Sequence, residues 1–222
     1  MHTILITGFG RFPGAPFNPS GPIVTSLARR RRPALADARC VAHVFATRYD
    51  AVDRELPALL ARETPDIVVM FGVATRSRHV RFEERARNRV ATLFPDAGGY
   101  RPMSRTIASH ADAVRNRLPL APLLKAARSV SVRAVRSRNA GTYLCNYAYW
   151  RGLEATSRPG GPRLVIFVHV PPVNLKPMPK RARKKRRRAP ARLGDLVRAG
   201  EAIVLAMISL ARQPRRGLCF RA

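Results

Sequence analysis

A chain of 222 residues with 46% apolar content can bury the core of one sizeable α/β domain, or two small ones, without disulfide staples. Its 42 lysines and arginines against 13 acidic residues give a net charge of +29, which speaks about polyanionic partners and solubility and not about fold. Three widely spaced cysteines with no C-x-x-C pair suggest neither a disulfide framework nor a zinc site, no apolar run reaches the roughly 20 residues that span a bilayer, and MHTILITGFG shows no secretion leader, so a cytoplasmic protein without a membrane span is expected.

In chain order, TILIT (3–7) reads as a strand, Ser20 with Pro22 opens a helix through IVTSLARR, and CVAHVFA (40–46) is the next strand. Asp50 then caps the helix AVDRELPALLARE, whose apolar positions are Val52, Leu56, Leu59 and Leu60. DIVVMFGV (66–73), SVSVRAV (129–135) and RLVIFVHV (163–170) are further strands, and Tyr143 to Leu153 continue as a helix after the turn Asn139–Thr142. Residues 193–212 place Leu196, Val197, Ile203, Val204, Met207 and Leu210 at helical spacing, the pattern of a closing helix. Alternating strands and helices predict a single α/β domain over 1–222, an open twisted mostly parallel sheet with helices on both faces. Residues 173–192 read as an irregular basic insert, and ligands are expected beyond the carboxyl ends of the strands.

Cys145 falls in the first turn of its helix, where free N–H groups and the dipole would lower a thiol pKa and supply oxyanion donors. Read alone, the segment favours a buried, space-filling cysteine. His169 ends a core strand just before Pro171 and could reach a neighbouring loop, although a lone histidine there is more often a satisfied core residue. Cys40 and Cys219 lack a helix-start setting, and His2, His43, His79 and His110 lack a comparable place. Alternation groups Glu84 with Val80 and Phe82 and puts Glu83 on the other face, but parity alone does not choose which carboxylate would orient an imidazole.

ILITGFGRFPGAPFNPS, YDAVDRELPALLARETPDIVVMFGVA, FEERARN, FPDAGGY, NAGTYLCNY and FVHVP follow one another in an order that resembles pyroglutamyl peptidase type I, also called pyrrolidone-carboxylate peptidase. The resemblance covers about residues 3–172. It implies a three-layer α/β fold and a cysteine peptidase that removes N-terminal pyroglutamate, with Cys145 as nucleophile, His169 as base and, through the E-x-x-A-x-N spacing, Glu83 as orienting acid. Phe9, Phe12, Thr47, Phe94 and Tyr143 would line the lactam slot, with the backbones of Val73 and Leu144 binding the ring. No metal or cofactor is implied. A dimer or tetramer is expected, because family members commonly assemble.

The chain departs from the family pattern in the loop Thr75, Arg76, Ser77 and at Leu93, which replaces an arginine and leaves oxyanion neutralisation to Arg87 or Arg89. Pro13 replaces a glycine, and Pro172 stands where an aromatic residue is common. These departures motivate a second reading, a member with altered or lost activity. The run Lys180–Arg188, with eight basic residues in nine, motivates a third, a basic nucleic-acid-binding protein on the same scaffold, though a solvated loop that attracts polyanions nonspecifically is the simpler account.

Overall fold

HTILITGF forms β1 (His2–Phe9), and its last six residues are buried because a central parallel strand is covered on both faces. The computed structural model describes residues 1–12, 14–30, 38–109, 111–173 and 191–213. Then come α1 (Ser20–Ala28), β2 (Ala38–Phe45), α2 (Tyr49–Glu63), β3 (Ile67–Val73), β4 (Val80–Glu83), β5 (Arg85–Arg87) and β6 (Ala113–Arg115). The remaining elements are α3 (Leu120–Ser129), β7 (Ala134–Ser137), α4 (Leu144–Ala155), β8 (Leu164–Val170) and α5 (Leu193–Arg212).

The main sheet runs in the order β2-β1-β3-β8-β4-β7, while β5 and β6 pair as a separate ribbon. Every neighbouring pair in the main sheet is parallel except β4 against β8. Helices α1, α3 and α5 bury Ile23, Leu123 and Met207 against one face, and α2 and α4 bury Leu56 and Trp150 against the other. This is the expected α/β sandwich. In α5 all six apolar positions marked by the sequence are buried, so the helical stripe is what holds it to the sheet.

Two local expectations are corrected. SVSVRAV was expected to be a strand throughout, but α3 runs to Ser129, Ser131 turns in the left-handed region at φ 63°, and β7 starts only at Ala134. Leu120, Leu123, Leu124 and Ala127, all buried, carry the helical spacing that claims the segment before the strand can begin. Asp50 does not cap α2. It sits one residue inside the helix and pairs with Arg48, while Asp96, from 47 residues beyond Tyr49, accepts the Tyr49 N–H at 3.0 Å. Pro13, His110, the run Lys180–Arg188 with most of 173–192, and Cys219 lie outside the described residues.

Candidate active site

Strands β3 and β8 run side by side with Gly72 in register with His169, so the carboxyl ends of two central strands set a bare Cα next to an imidazole. Gly141, at φ 85°, turns the chain through a conformation that favours glycine, and α4 starts three residues later. Cys145 therefore lies in the first turn of α4, above the sheet. A Cβ placed on Gly72 would come within 2.7 Å of its Sγ and 2.8 Å of the Phe167 ring, so the sulfur rests on the glycine itself. Adjacent strands are about 4.8 Å apart, which brings a sulfur seated over Gly72 within reach of the His169 ring.

His169 is buried, and its Nδ1 lies 2.8 Å from Oε1 of Glu83, a residue with no exposed surface. With Nδ1 turned to the carboxylate, Nε2 is the ring nitrogen not engaged by Glu83. Arg81, in register with His169 across the β4–β8 pair, reaches the same Glu83 oxygen at 3.3 Å. Val80 and Phe82 turn the opposite way, into the core beneath α1, α3 and α5. Glu84 is drawn off by Arg138, at 3.0 Å, and by Arg136. Of the two glutamates that parity left open, Glu83 is the one brought to the imidazole.

The expected depression of the thiol pKa is reversed. Burial, followed by the nearby Glu83 carboxylate, pushes the Cys145 thiol up to about 12, and the backbone N–H of Cys145 opposes this only in part. Water is scarce around the sulfur and the negative charge close, so the free thiol holds its proton. An adjacent base is then required to activate it.

Cys145 packs against an apolar cluster that includes Phe9, Phe45 and Tyr49, and Tyr49 and Tyr143 lie near enough to feel its charge. Phe9, at the end of β1, packs on Phe45 at 5.8 Å, and Phe12 lies 5.9 Å from the Tyr143 ring. Thr47 is buried and donates to the Gly10 carbonyl at 3.0 Å, joining the loops that leave β1 and β2. Tyr143 donates to the Pro95 carbonyl at 2.9 Å and meets Tyr49 edge-on. Leu144 is buried at the start of α4, and Val73, also buried, ends β3 in register with Val170. Phe94 is not drawn into this group. Its side chain is 66% exposed, on the loop beside Pro95, with Leu93 next to it at 77%. Thr75 to Ser77 form a tight turn, with the Ser77 hydroxyl bonded to both backbone groups of His79.

Sequence reasoning missed three supports. Asn146, wholly buried beside Cys145, accepts from the Arg87 N–H and donates to the carbonyls of Arg87 and Arg89, which locks the β5 region onto α4. Asp96 ties the 96–100 loop to the start of α2. Tyr49 is buried against Tyr143 and Tyr147. Asn146 was legible as the residue after the cysteine in NAGTYLCNY, whereas the other two depend on contacts distant in sequence. Among the described residues there is no group of three or more histidine, cysteine or acidic side chains able to hold a metal ion, and no helix is long and apolar enough to cross a membrane.

A parallel-sheet sandwich with a thiol at a helix start, an imidazole beside it and a buried carboxylate behind the imidazole has the architecture of a thiol hydrolase. The family model for pyroglutamyl peptidase matches residues 2–203. The chain belongs to that family. It is 33% identical over 169 residues to the pyrrolidone-carboxylate peptidase of Thermococcus onnurineus, a match covering 76% of this chain and 82% of that protein. With the pyrrolidone-carboxylate peptidase of Streptococcus suis it shares 27% identity over 206 residues, 92% of each. The solved pyrrolidone carboxyl peptidase of Thermococcus litoralis has the same fold, with a TM-score of 0.81, 27% identity and 95% of each chain covered.

Proposed function

We propose that the chain hydrolyses the amide bond after an N-terminal pyroglutamyl residue by covalent thiol catalysis. The observation that carries this reading is the seat of the Cys145 sulfur on Gly72, in register with a histidine whose far nitrogen is held by Glu83. In the first half-reaction His169 takes the thiol proton as Sγ bonds to the pyroglutamyl carbonyl carbon. The same proton then goes to the departing amine as its bond to carbon breaks. In the second, His169 takes a proton from water, the hydroxide displaces sulfur, and pyroglutamate leaves as the thiol is restored. The N–H groups of the first α4 turn face the developing oxyanion. The lactam is small, flat and uncharged, which suits the Phe9, Phe12, Thr47 and Tyr143 surface better than a charged clamp would.

Release of aminomethylcoumarin from its pyroglutamyl derivative, compared with the prolyl derivative, tests the reading. Turnover of the pyroglutamyl compound alone is expected, because only its ring carbonyl can meet backbone donors in the slot. Equal rates, or none, would overturn it, the second outcome being what altered or lost activity predicts.

Gly72→Ala should lower kcat about 100-fold while the protein still melts cooperatively, because the added methyl displaces the sulfur and a misplacement of about 1 Å is enough for that loss. An unchanged kcat would mean that the sulfur is not seated there in the reacting enzyme.

The raised thiol pKa sets the pH dependence of alkylation. Below pH 9 the resting thiol is protonated, and thiolate appears only as pH climbs toward about 12. Carboxamidomethylation of Cys145 by iodoacetamide should keep accelerating above pH 9, and a plateau near neutrality would contradict the assignment.

The family resemblance extends the proposal to a cytoplasmic location and to a dimer or tetramer, which light scattering would measure. Nonspecific polyanion binding through Lys180–Arg188 belongs to the same proposal, carried by charge alone.

A further inference from the structure

We infer that the site favours peptides in which the residue after the pyroglutamyl group is acidic. The inference rests on the hydrolysis proposed above and names its substrate class more closely.

Two sides of the sulfur differ in chemistry. Toward the ends of β1 and β2 lie Phe9, Phe12, Thr47 and Tyr143, the residues proposed to receive the lactam. On the other side stands His169, which must hand its proton to the leaving amine, so the departing peptide has to lie on the His169 side of the scissile bond. The strand bordering His169 there is β4, with Arg81 directly in register, and beyond it is β7.

That border is strongly cationic. Residues 81–89 contain four arginines and two glutamates. Glu83 offsets Arg81 at 3.3 Å and Glu84 is held by Arg138 and Arg136, so the excess positive charge beside the nucleophile falls on Arg87 and Arg89, whose carbonyls Asn146 holds. The Arg87 guanidinium lies 3.3 Å from Oδ1 of Asn139, on the loop that leads into Cys145, and Asn146 pins the Arg87 backbone next to the nucleophile. Arg89 is exposed two residues on. A carboxylate on the leaving residue would pass through this positive field, and an ammonium would be repelled by it. At roughly 8 Å in a watery environment each such charge contributes modestly, and several together give about a fivefold preference.

The test compares kcat/KM for pyroglutamyl-glutamyl, pyroglutamyl-alanyl and pyroglutamyl-lysyl peptides of equal length, followed by chromatography of released pyroglutamate. At low ionic strength the expected order is glutamyl, alanyl, lysyl, with about fivefold between the first two. About 0.5 M NaCl should bring the three together, since the field is exposed to screening. Arg87→Gln and Arg89→Gln should each narrow the glutamyl-to-lysyl ratio, a quantity that general damage to the enzyme leaves untouched because it is taken within one variant. Equal kcat/KM values at low salt, or a ratio that salt does not change, would overturn the preference. If the coumarin derivative is cleaved and the peptide series is flat, only the acid preference falls. If the derivative is not cleaved, the hydrolysis falls with it.

Discussion

Cys145→Ser is expected to lower hydrolysis of a pyroglutamyl amide by at least about 10⁴-fold, the scale seen when an activated nucleophile is removed from a catalytic unit. The substitution keeps the shape of the first α4 turn and the contact with Gly72, but it replaces a polarizable sulfur with an alcohol that His169 must deprotonate against a much higher intrinsic barrier. Stability should move by no more than about 1 kcal/mol, because a hydroxyl in place of a thiol fills nearly the same volume and leaves no large cavity. Kinetics and a thermal melt on the same preparation separate the two effects. Residual turnover within tenfold of the parent would place the chemistry on another residue, and Cys40, half-buried on β2 and raised in pKa by burial, would be the next thiol to replace.

Glu83 offers the second large effect, and two variants divide its roles. Glu83→Gln preserves the volume beside His169 but removes the charge that fixes the Nδ1 proton and stabilises the imidazolium, so kcat should fall about 10³-fold. Glu83→Ala also deprives Arg81 of its buried acid partner and opens a hole at a fully enclosed position, so a stability loss of about 2 kcal/mol should accompany a kcat loss at least as large. A role that is only structural would spare the first variant. A third readout is independent of turnover. The Glu83 charge helps to hold the Cys145 thiol protonated, so either substitution should move the alkylation profile of Cys145 toward lower pH. A profile that stays in place would mean that the carboxylate does not act on the sulfur.

The parts of the fold that could be read from residue order are those with one dominant period. ILIT, IVVMFGV and LVIFVHV are continuous apolar runs because both faces of β1, β3 and β8 are covered, and α5 keeps a clean helical stripe over 20 residues. The short strands β4 to β7 were less legible, because arginines occupy many of their positions and β5 and β6 are only three residues each. Pairing with distant partners forms them, and local preference contributes little.

The site divides in the same way. Cys145 and His169 could be located by their position at the ends of elements, but Glu83 could be distinguished from Glu84 only by motif spacing. The physical reason lies in the register of β4 against β8, which no local pattern carries. The sign of the thiol shift was misjudged for a related reason. The helix start is visible in the sequence, whereas the depth of burial and the closeness of Glu83 arise only when the layers close.

Because β4 alone runs against its neighbour β8, each step along it descends from the rim of the sheet toward its middle, and Glu83 ends up a level below the ring it holds. At that depth dissolved ions do not reach the carboxylate, so the orientation of the imidazole is insulated from the surrounding medium even though the surface above it is crowded with guanidinium groups. An uncharged substrate should therefore be turned over at nearly the same rate in dilute buffer and in brine.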